Sequence, residues 1–255
     1  MTSLTIGIIS AACICGGAAV GYALQRVLPK HHLSKEAQDA VKLAVGVIAT
    51  STALVLGLLV SSSKGQFDAM GSRLVQFGAN VIILDNTLAE YGPEAKSARE
   101  ELRRSLETTL QRIWPEERTG RGKSTIAVIE HGVTIDAVRA KLRELKPGTD
   151  EQRALLAQAQ QIVSDISRSR WMLIEDAQRG LPPILLGVLV FWLTLLFVSF
   201  GLFAPRNWMV FLALLVSACS MAAAIFLVLE MNSPLDGLMK ISSAPLRKAL
   251  EFMGQ

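Results

Sequence analysis

The sequence predicts an all-α membrane protein with four transmembrane helices and a helical cytoplasmic domain inserted between the second and the third. Hydrophobic residues make up 51% of the 255 residues, and the mean hydropathy is +0.38. These residues concentrate in four blocks without interior charges, each about 20 residues long, which is the length that crosses a hydrocarbon core of roughly 30 Å. The stretch between the second and third blocks is charged and follows a helical period. The four blocks are residues 3–28, 43–63, 183–204 and 207–230.

The blocks divide the chain into four parts. These are residues 1–63 with the first two transmembrane helices, 64–180 as the cytoplasmic domain, 181–230 with the last two helices, and 231–255 as a cytoplasmic tail. The first block is predicted to be retained, because "MTSLT" lacks the positive charge of a signal peptide and the apolar run is too long for one. The cysteines lie inside blocks and are predicted to pack as small apolar residues without disulfides. They are Cys13, Cys15 and Cys219.

The charge distribution predicts that both termini and residues 64–180 lie in the cytoplasm and that the protein sits in the cell (inner) membrane. Within about 20 residues of the block ends, the domain side carries eight Lys and Arg residues and the opposite side five, and the positive-inside rule favours this orientation. Residues 64–180 hold 18 Lys and Arg against 17 Asp and Glu, so nothing there resembles a nucleic-acid-binding stripe. The counted residues are Lys64, Arg73, Arg168, Arg170, Arg179, Lys240, Arg247 and Lys248 on the domain side, and Arg26, Lys30, Lys35, Lys42 and Arg206 opposite.

Apolar residues beyond the second block predict that the second helix leaves the membrane and continues into the cytoplasmic domain. They alternate at spacings of three and four over three heptads, which is the a/d pattern of a packed helix. Val75, Ile82 and Ile83 widen this face, as is typical of a helix contacted on two sides in a bundle or ring. We expect other subunits to cover part of it. This cytoplasmic seam consists of Phe67, Met70, Leu74, Phe77, Val81, Leu84 and Leu88.

Three more helices and no strand are predicted in the cytoplasmic domain. Gly92 and Pro93 form the turn that ends the seam helix, since proline suits a first helical turn. Thr149 and Gln152 have capping-box spacing, and the segment "WPEERTGRGKS" is a linker. The three helices are about residues 93–114, 134–146 and 150–178. The apolar stripe of the first one is Ala95, Ala98, Leu102, Leu106, Leu110 and Ile113.

No nucleotide or metal site is predicted. "GRGKST" at residues 120–125 lacks the glycine that a phosphate loop needs five residues before its Gly-Lys pair, because that position is Glu117. His31 and His32 are adjacent and would diverge on a helix, and His131 is isolated. These histidines are therefore expected to be ordinary polar residues, and no cofactor is predicted.

The acidic residues near the helix turn also have a structural explanation. Asp85, Glu90 and Glu94 are expected to cap helices and to form salt bridges with Arg99 or Arg103. The sequence contains no Ser-His-Asp set, no Cys-His pair and no gathered acid pair in a plausible cleft. The protein is predicted not to be an enzyme.

The second transmembrane helix carries small residues at spacings of three and four, which let helices approach closely in a membrane. Ordinary helix packing explains this spacing. The alternative is that a stripe beside them lines a narrow apolar pore, because a hydrophobic constriction can gate by dewetting. Such a pore would need several subunits. The helix-packing face is Gly46, Ala53, Gly57 and Ser61, and the pore neck is Thr50, Leu54 and Leu58.

Three stretches carry a family likeness: "KHHLSKEAQDAVKLAVGVIATSTALVLGLLVSSSKGQFD", "LDNTLAEYGPEAKSARE" and "LVLEMNSPLDGLMKISSAPLRKAL". Over nearly the whole chain, the sequence resembles the bacterial bestrophin-like family. Bestrophins are pentameric anion channels with four membrane-crossing segments per subunit and a helical cytosolic part between the second and the third. The resemblance implies that the second helix lines a pore neck, since the step Leu56-Gly57-Leu58 is similar to the Leu-Gly-aromatic step of that neck.

The sequence departs from bestrophins in two places. Bestrophin necks use bulky aromatic residues, and the corresponding positions here hold none. Eukaryotic bestrophins also bear an acidic calcium-binding cluster after the last span, where this sequence offers only Glu230 and Asp236. The resemblance therefore implies no calcium gating.

Together these observations predict an oligomeric bestrophin-like ion channel that conducts anions, chloride among them, and is a pentamer by resemblance. Its predicted partners are the lipid bilayer, further copies of itself and permeating anions, and no nucleic acid. The alternative is a multi-pass membrane scaffold or sensor whose helical domain binds a cytoplasmic partner. A pore needs a wettable path along one face of the second helix, whereas a scaffold needs only packing.

Overall fold

The computed structural model describes residues 3–27, 35–114, 135–178, 181–205, 207–232 and 239–253, and every regular element in these ranges is helical. The predicted all-α class is confirmed at this level. Apart from the start of α2 and from α8, which was not predicted, the helix bounds agree with the predicted ones within two residues, except that the 93–114 helix begins as a 3-10 turn. The helices are α1 (Ser3–Val27), α2 (Lys35–Tyr91), α3 (Lys96–Ile113), α4 (Ile135–Glu144), α5 (Asp150–Gln178), α6 (Pro183–Phe203), α7 (Trp208–Met231) and α8 (Ala244–Phe252), with the 3-10 turn at Pro93–Ala95.

Four of these helices are long and apolar enough to cross a membrane, judged by length and composition: α1, α2, α6 and α7. The chain folds into two compact units. The first unit comprises residues 1–65 and 180–233, and the second comprises residues 66–179 and 234–255. The membrane block of α2 belongs to the first unit, and the seam of α2 belongs to the second.

Helix α2 is continuous over 57 residues, a length of about 85 Å at 1.5 Å per residue. No proline interrupts it, and it ends before Gly92, whose φ of 120° permits the sharp turn into Pro93. The predicted continuation of this helix past residue 63 is confirmed. It begins eight residues before the predicted block 43–63, because "KEAQDAVK" is rich in good helix formers and needs no apolar face to be helical.

In the first unit, α1 packs against α6 through glycines. A β-carbon on Gly17 would lie 2.9 Å from the carbonyl oxygen of Thr194, and one on Gly201 would overlap the backbone of α1. Small residues at such positions let helix backbones approach closely. Where α1 and α6 end their contact, Nε2 of Gln25 donates a hydrogen bond of 2.9 Å to the carbonyl oxygen of Ala204, the residue after α6. The buried core of this unit includes Ile14, Leu59, Leu189, Leu193, Phe197, Ile225 and Val228.

The second unit is built on the seam of α2. Phe67 is partly buried at its edge, and the other six seam residues are at most 7% exposed. The apolar stripe of α3 shares this core with the seam: Ala95, Ala98, Leu102 and Leu106 are buried and Leu110 packs against the core. The side chain of Ile113 lies outside the described residues. Buried residues of α4, α5 and α8 complete this core, among them Val138, Val163 and Leu246.

Polar contacts fix the helix ends of the second unit. The backbone N–H of Gln152 donates to Oγ1 of Thr149 at 3.1 Å, which confirms the Thr149 half of the predicted capping box. The side-chain oxygen of Gln152 accepts from the N–H of Gly148 at 2.8 Å instead of turning back to Thr149. Nε1 of Trp114 donates to the carbonyl oxygen of Ile241 at 3.0 Å, and this bond ties the end of α3 to the segment before α8.

Candidate functional site

The membrane block of α2 packs against its own subunit with one face only. Val45, Ile48, Val55 and Leu56 are partly buried against the core of the first unit, and Leu59 belongs to that core. Of the 18 most apolar consecutive residues of α2, 11% are buried, against 28–33% in the corresponding stretches of the other three apolar helices. The part of the chain that the structure describes therefore leaves most of this block uncovered.

The predicted pore neck and the predicted packing face lie together on the opposite side of α2. At about 100° per residue, the seven positions fall within an arc of about 140° that faces away from Leu59. All seven are exposed, including Leu54 at 67% and Leu58 at 63%. We refer to this surface as the outward face of α2. It consists of Gly46, Thr50, Ala53, Leu54, Gly57, Leu58 and Ser61.

The glycines of the outward face touch nothing in the described chain. A β-carbon at Gly46 or Gly57 would meet no heavy atom within 4 Å, whereas Gly17 and Gly21 of α1 lie directly against α6. The exposed side of α6 differs in character, because it carries bulky residues such as Phe191, which is 60% exposed. Bulky apolar residues suit contact with lipid, and small residues suit contact with another helix. The outward face of α2 has the composition of a helix interface, and the described part of the chain does not fill it.

Two further residues extend the neck stripe and were missed at the sequence level. Leu43 is 76% exposed and Val47 is 67% exposed, and both precede Thr50 on the same side of α2 by the helical period. The spacing of four and then three could have revealed them. Oγ1 of Thr50 donates to the carbonyl oxygen of Val47 at 2.9 Å. Its hydroxyl proton is thus already engaged, and the other residues of the stripe are apolar.

The charges beside the outward face are few. Nζ of Lys42 lies 3.3 Å from Oδ1 of Asp39, and both side chains are exposed. An exposed pair of this kind has little net effect on stability. Lys64 is also exposed and follows Ser61 along the helix. Basic residues thus stand at both ends of an uncharged stripe.

A groove of about 480 Å³ adjoins the outward face. It opens between α2, the end of α6 and the start of α7, and its walls are mostly apolar. Gly46 and Lys42 border it on the α2 side, and Phe200 and Leu214 border it on the others. The surface of the first unit beside α2 is therefore indented.

The seam of α2 is a different kind of surface. The helices of the same chain cover it, so the seam packs within the subunit and offers no open face for a second copy. Two of the residues that widen it stay on the surface, with Val75 56% exposed and Ile83 47% exposed. Contact of a second element with the side of Val75 and Ile83 stays a prediction.

The acidic residues near the turn form a structural ion pair. Nε and Nη2 of Arg99 donate to the two carboxylate oxygens of Asp85, each at 2.8 Å. The side chain of Asp85 is 5% exposed and that of Arg99 is 35% exposed. The hydrogen bond to Asp85 is the main cause that raises the pKa of Arg99, so the guanidinium stays protonated. The predicted bridge to Arg99 is confirmed, and Arg103 pairs with Glu107 instead.

Most of the sequence motifs considered for nucleotide, metal or calcium binding fall where the structure gives no description. The histidines at 31, 32 and 131, the "GRGKST" segment and Asp236 lie outside the described residues. Among the residues that are described, no group of three or more His, Cys, Asp or Glu side chains could hold a metal ion.

One known protein family covers most of the chain. The family model of the bestrophin-like domain matches residues 12–246, which include all of α2 and most of both units. The chain belongs to the bestrophin-like family. The resemblance noted in the sequence is confirmed, and no curated protein and no solved structure matches the chain. Membership in the bestrophin-like family supports a membrane protein of the channel type rather than an enzyme.

Proposed function

We propose that this bestrophin-like protein is one subunit of an oligomeric anion channel, and that the outward face of α2 forms both the pore neck and part of the subunit interface. In this proposal α1, the block of α2, α6 and α7 cross the cell membrane. Both termini and the second unit lie in the cytoplasm. The oligomer is a pentamer by resemblance to bestrophins, and chloride is the permeating ion.

The outward face of α2 is the observation that carries this proposal. It combines open glycines with exposed leucines in a helix whose other side is already packed. Association of membrane helices depends on close van der Waals contact, which Gly46 and Gly57 permit. Copies that meet through the small residues would turn Leu54 and Leu58 toward a common axis, because the two sets overlap on one side of the helix. Contact with lipid would leave the small residues without a packing role.

The chemistry of the neck follows from its side chains. Thr50, Leu54 and Leu58 are one turn apart, so each would form a ring, with the rings about 6 Å apart along the axis. Leucine offers no ligand to an ion, and the Thr50 hydroxyl is bonded to its own helix. Passage would therefore depend on the width and wetting of the rings. Preference for anions would come from the lower cost of dehydrating a large anion and from basic residues at the mouths, such as Lys42 and Lys64.

The test is single-channel recording of the purified protein in planar lipid bilayers under a chloride gradient. The proposal expects unitary currents that reverse near the chloride equilibrium potential. A reversal near the cation potential would contradict anion conduction while leaving the channel in place. Absence of current from the wild type and from variants with smaller neck residues would contradict the channel itself. The scaffold or sensor would then be the better assignment.

A further inference from the structure

A concave site lies within the second unit, between α4 and α5. Its volume is about 220 Å³. Leu142 of α4 and Val163 of α5 take part in its lining, and each is 1% exposed, so the helices that bear the site are held by the core. The polar residues of the lining are Arg139 and Arg143 from α4 and Gln160 and Ser164 from α5. The site is therefore cationic and rigidly supported.

The two arginines stand one helical turn apart and line the same cavity. Like charges at this spacing destabilise a helix when nothing lies between them. Arg139 is fixed by its surroundings, because its Nη2 donates to Oγ of Ser167 at 2.9 Å and its Nη1 lies 3.6 Å from Asp136. Within the described part of the chain, Arg143 has neither an ion pair nor a hydrogen bond. A full guanidinium fork is thus available at the cavity.

We infer that this cavity binds a small oxyanion of the phosphate class, either as the free ion or as the phosphoryl group of a small ester. Guanidinium groups recognise phosphate and carboxylate oxygens through paired, charge-assisted hydrogen bonds. The amide of Gln160 adds two N–H donors. The hydroxyl of Ser164 already donates to the carbonyl oxygen of Gln160 at 2.9 Å, so the arginines and the amide provide the donors.

The size of the cavity limits the ligand. Pockets for drug-sized molecules usually have about 300–1,000 Å³, and this cavity is smaller. A single phosphate group fits between the two helices, and the rest of a larger ligand would extend beyond the cavity. A bound anion would also remove the repulsion between Arg139 and Arg143, so binding should stabilise the second unit.

The experiment measures binding by the full-length protein in detergent, so its outcome does not depend on whether the chain conducts ions. Thermal unfolding is followed while inorganic phosphate replaces chloride at constant ionic strength, and titration calorimetry gives the affinity. We expect a saturable rise in Tm. A parallel titration with glycerol phosphate distinguishes the two possible sources of the phosphate group. Tighter binding of the ester would assign the site to an esterified phosphate, and equal binding would assign it to the free ion.

The decisive variant is Arg143→Gln, because this side chain has no structural partner to lose. We expect its Tm without phosphate to match that of the wild type and its phosphate affinity to fall by about tenfold, as for the loss of one charge-assisted hydrogen-bonding group. Arg104→Gln is the matched control, since Arg104 is an exposed arginine on α3 outside the cavity. A wild type without a saturable response, or an Arg143→Gln variant with unchanged affinity, would overturn the inference.

Discussion

Gly21 of α1 lies so close to Val198 of α6 that a β-carbon at position 21 would stand 2.8 Å from the carbonyl carbon of Val198 and closer still to its oxygen. Gly17 makes a similar approach to Thr194 one turn earlier. Backbone atoms cannot rotate away as a side chain can, so the two helices would have to separate to admit even a methyl group.

Gly21→Ala is accordingly expected to lower the free energy of unfolding by about 1–3 kcal/mol, the usual cost of overpacking. Gly16→Ala is the matched control, since a β-carbon at Gly16 would meet nothing within 4 Å. The control is expected to be neutral or up to about 1 kcal/mol more stable, because alanine favours a helix over glycine. Denaturant unfolding in detergent measures both, and equal stability of the two variants would contradict the close approach.

Truncation of the proposed neck is expected to increase current. Leu54→Ala and Leu58→Ala each remove a bulky apolar group from a ring that wets poorly, so conductance or open probability should rise. Both leucines are more than half exposed in the single chain, so subunit stability should change little. Single-channel recording with a chloride gradient is the measurement.

Two leucine variants control the neck experiment. Leu212→Ala removes an exposed leucine of α7 and should leave current unchanged. Leu193→Ala removes a core leucine that is 1% exposed and should destabilise the chain by about 2–5 kcal/mol. If the neck variants behave like Leu193→Ala, with lower yield and no gain in current, then Leu54 and Leu58 are packing residues.

Gly57→Leu is expected to weaken assembly without unfolding the subunit. The position is open in the single chain, so a larger side chain fits there, but it would hold a second helix away from the outward face. Mass measurement in mild detergent should show a shift from oligomer toward monomer. Gly16→Leu, at an equally open glycine of α1, should keep the wild-type mass. A wild-type protein that is monomeric in mild detergent would contradict the proposed assembly.

Substitutions at two neighbouring positions of α2 should distinguish the buried seam from the exposed side of the helix. Leu74 is 7% exposed and Val75 is 56% exposed. Leu74→Glu places a charge without a partner in the core of the second unit, so we expect a loss of more than about 3 kcal/mol. Val75→Glu should change the free energy of unfolding by no more than about 0.5 kcal/mol. Thermal unfolding checks the difference, and a stable Leu74→Glu subunit would mean that the seam is not a core.

The orientation in the membrane is testable by thiol labelling in intact cells. With Cys13, Cys15 and Cys219 replaced by alanine, a cysteine introduced at Gly120 should be protected from an impermeant reagent, and one introduced at Ser34 should react. The excess of Lys and Arg on the domain side is the reason. Labelling at 120 after permeabilisation shows that the protected thiol is reactive. Labelling at 120 in intact cells, or protection at 34, would reverse the topology.

Local signals in the sequence were sufficient for most of the helices, although α8 was not predicted. Thr149 and Gln152 mark the start of α5 because a cap depends on residues three apart, and Gly92 marks the end of α2 because its backbone needs a positive φ. The start of α2 at Lys35 was missed because polar helix formers leave no apolar pattern to read.

The element that covers each helix face was harder to predict. Periodicity indicates that a face is buried, but it does not show which helix or subunit buries it. The seam from Met70 to Leu88 has the spacing of an oligomer contact, yet α3 of the same chain covers it. Gly17 and Gly21 of α1 are four residues apart, as are Ala53 and Gly57 of α2. Yet the α1 glycines lie against α6, whereas a β-carbon at Gly57 would meet nothing in the described part of the chain. That distinction depends on three-dimensional neighbours far apart in sequence, which local patterns do not contain.

The contact between α1 and α6 also sets an order of events during synthesis. Val198 follows Gly21 by 177 residues, so at about 5–20 residues per second the ribosome needs roughly 9–35 s to supply the partner. Throughout that interval the cleft at Gly17 and Gly21 has no α6 to fill it. A chain that stops before residue 183 has the glycines of α1 but no α6. The close packing at Gly17 and Gly21 can therefore form only after most of the chain has been made.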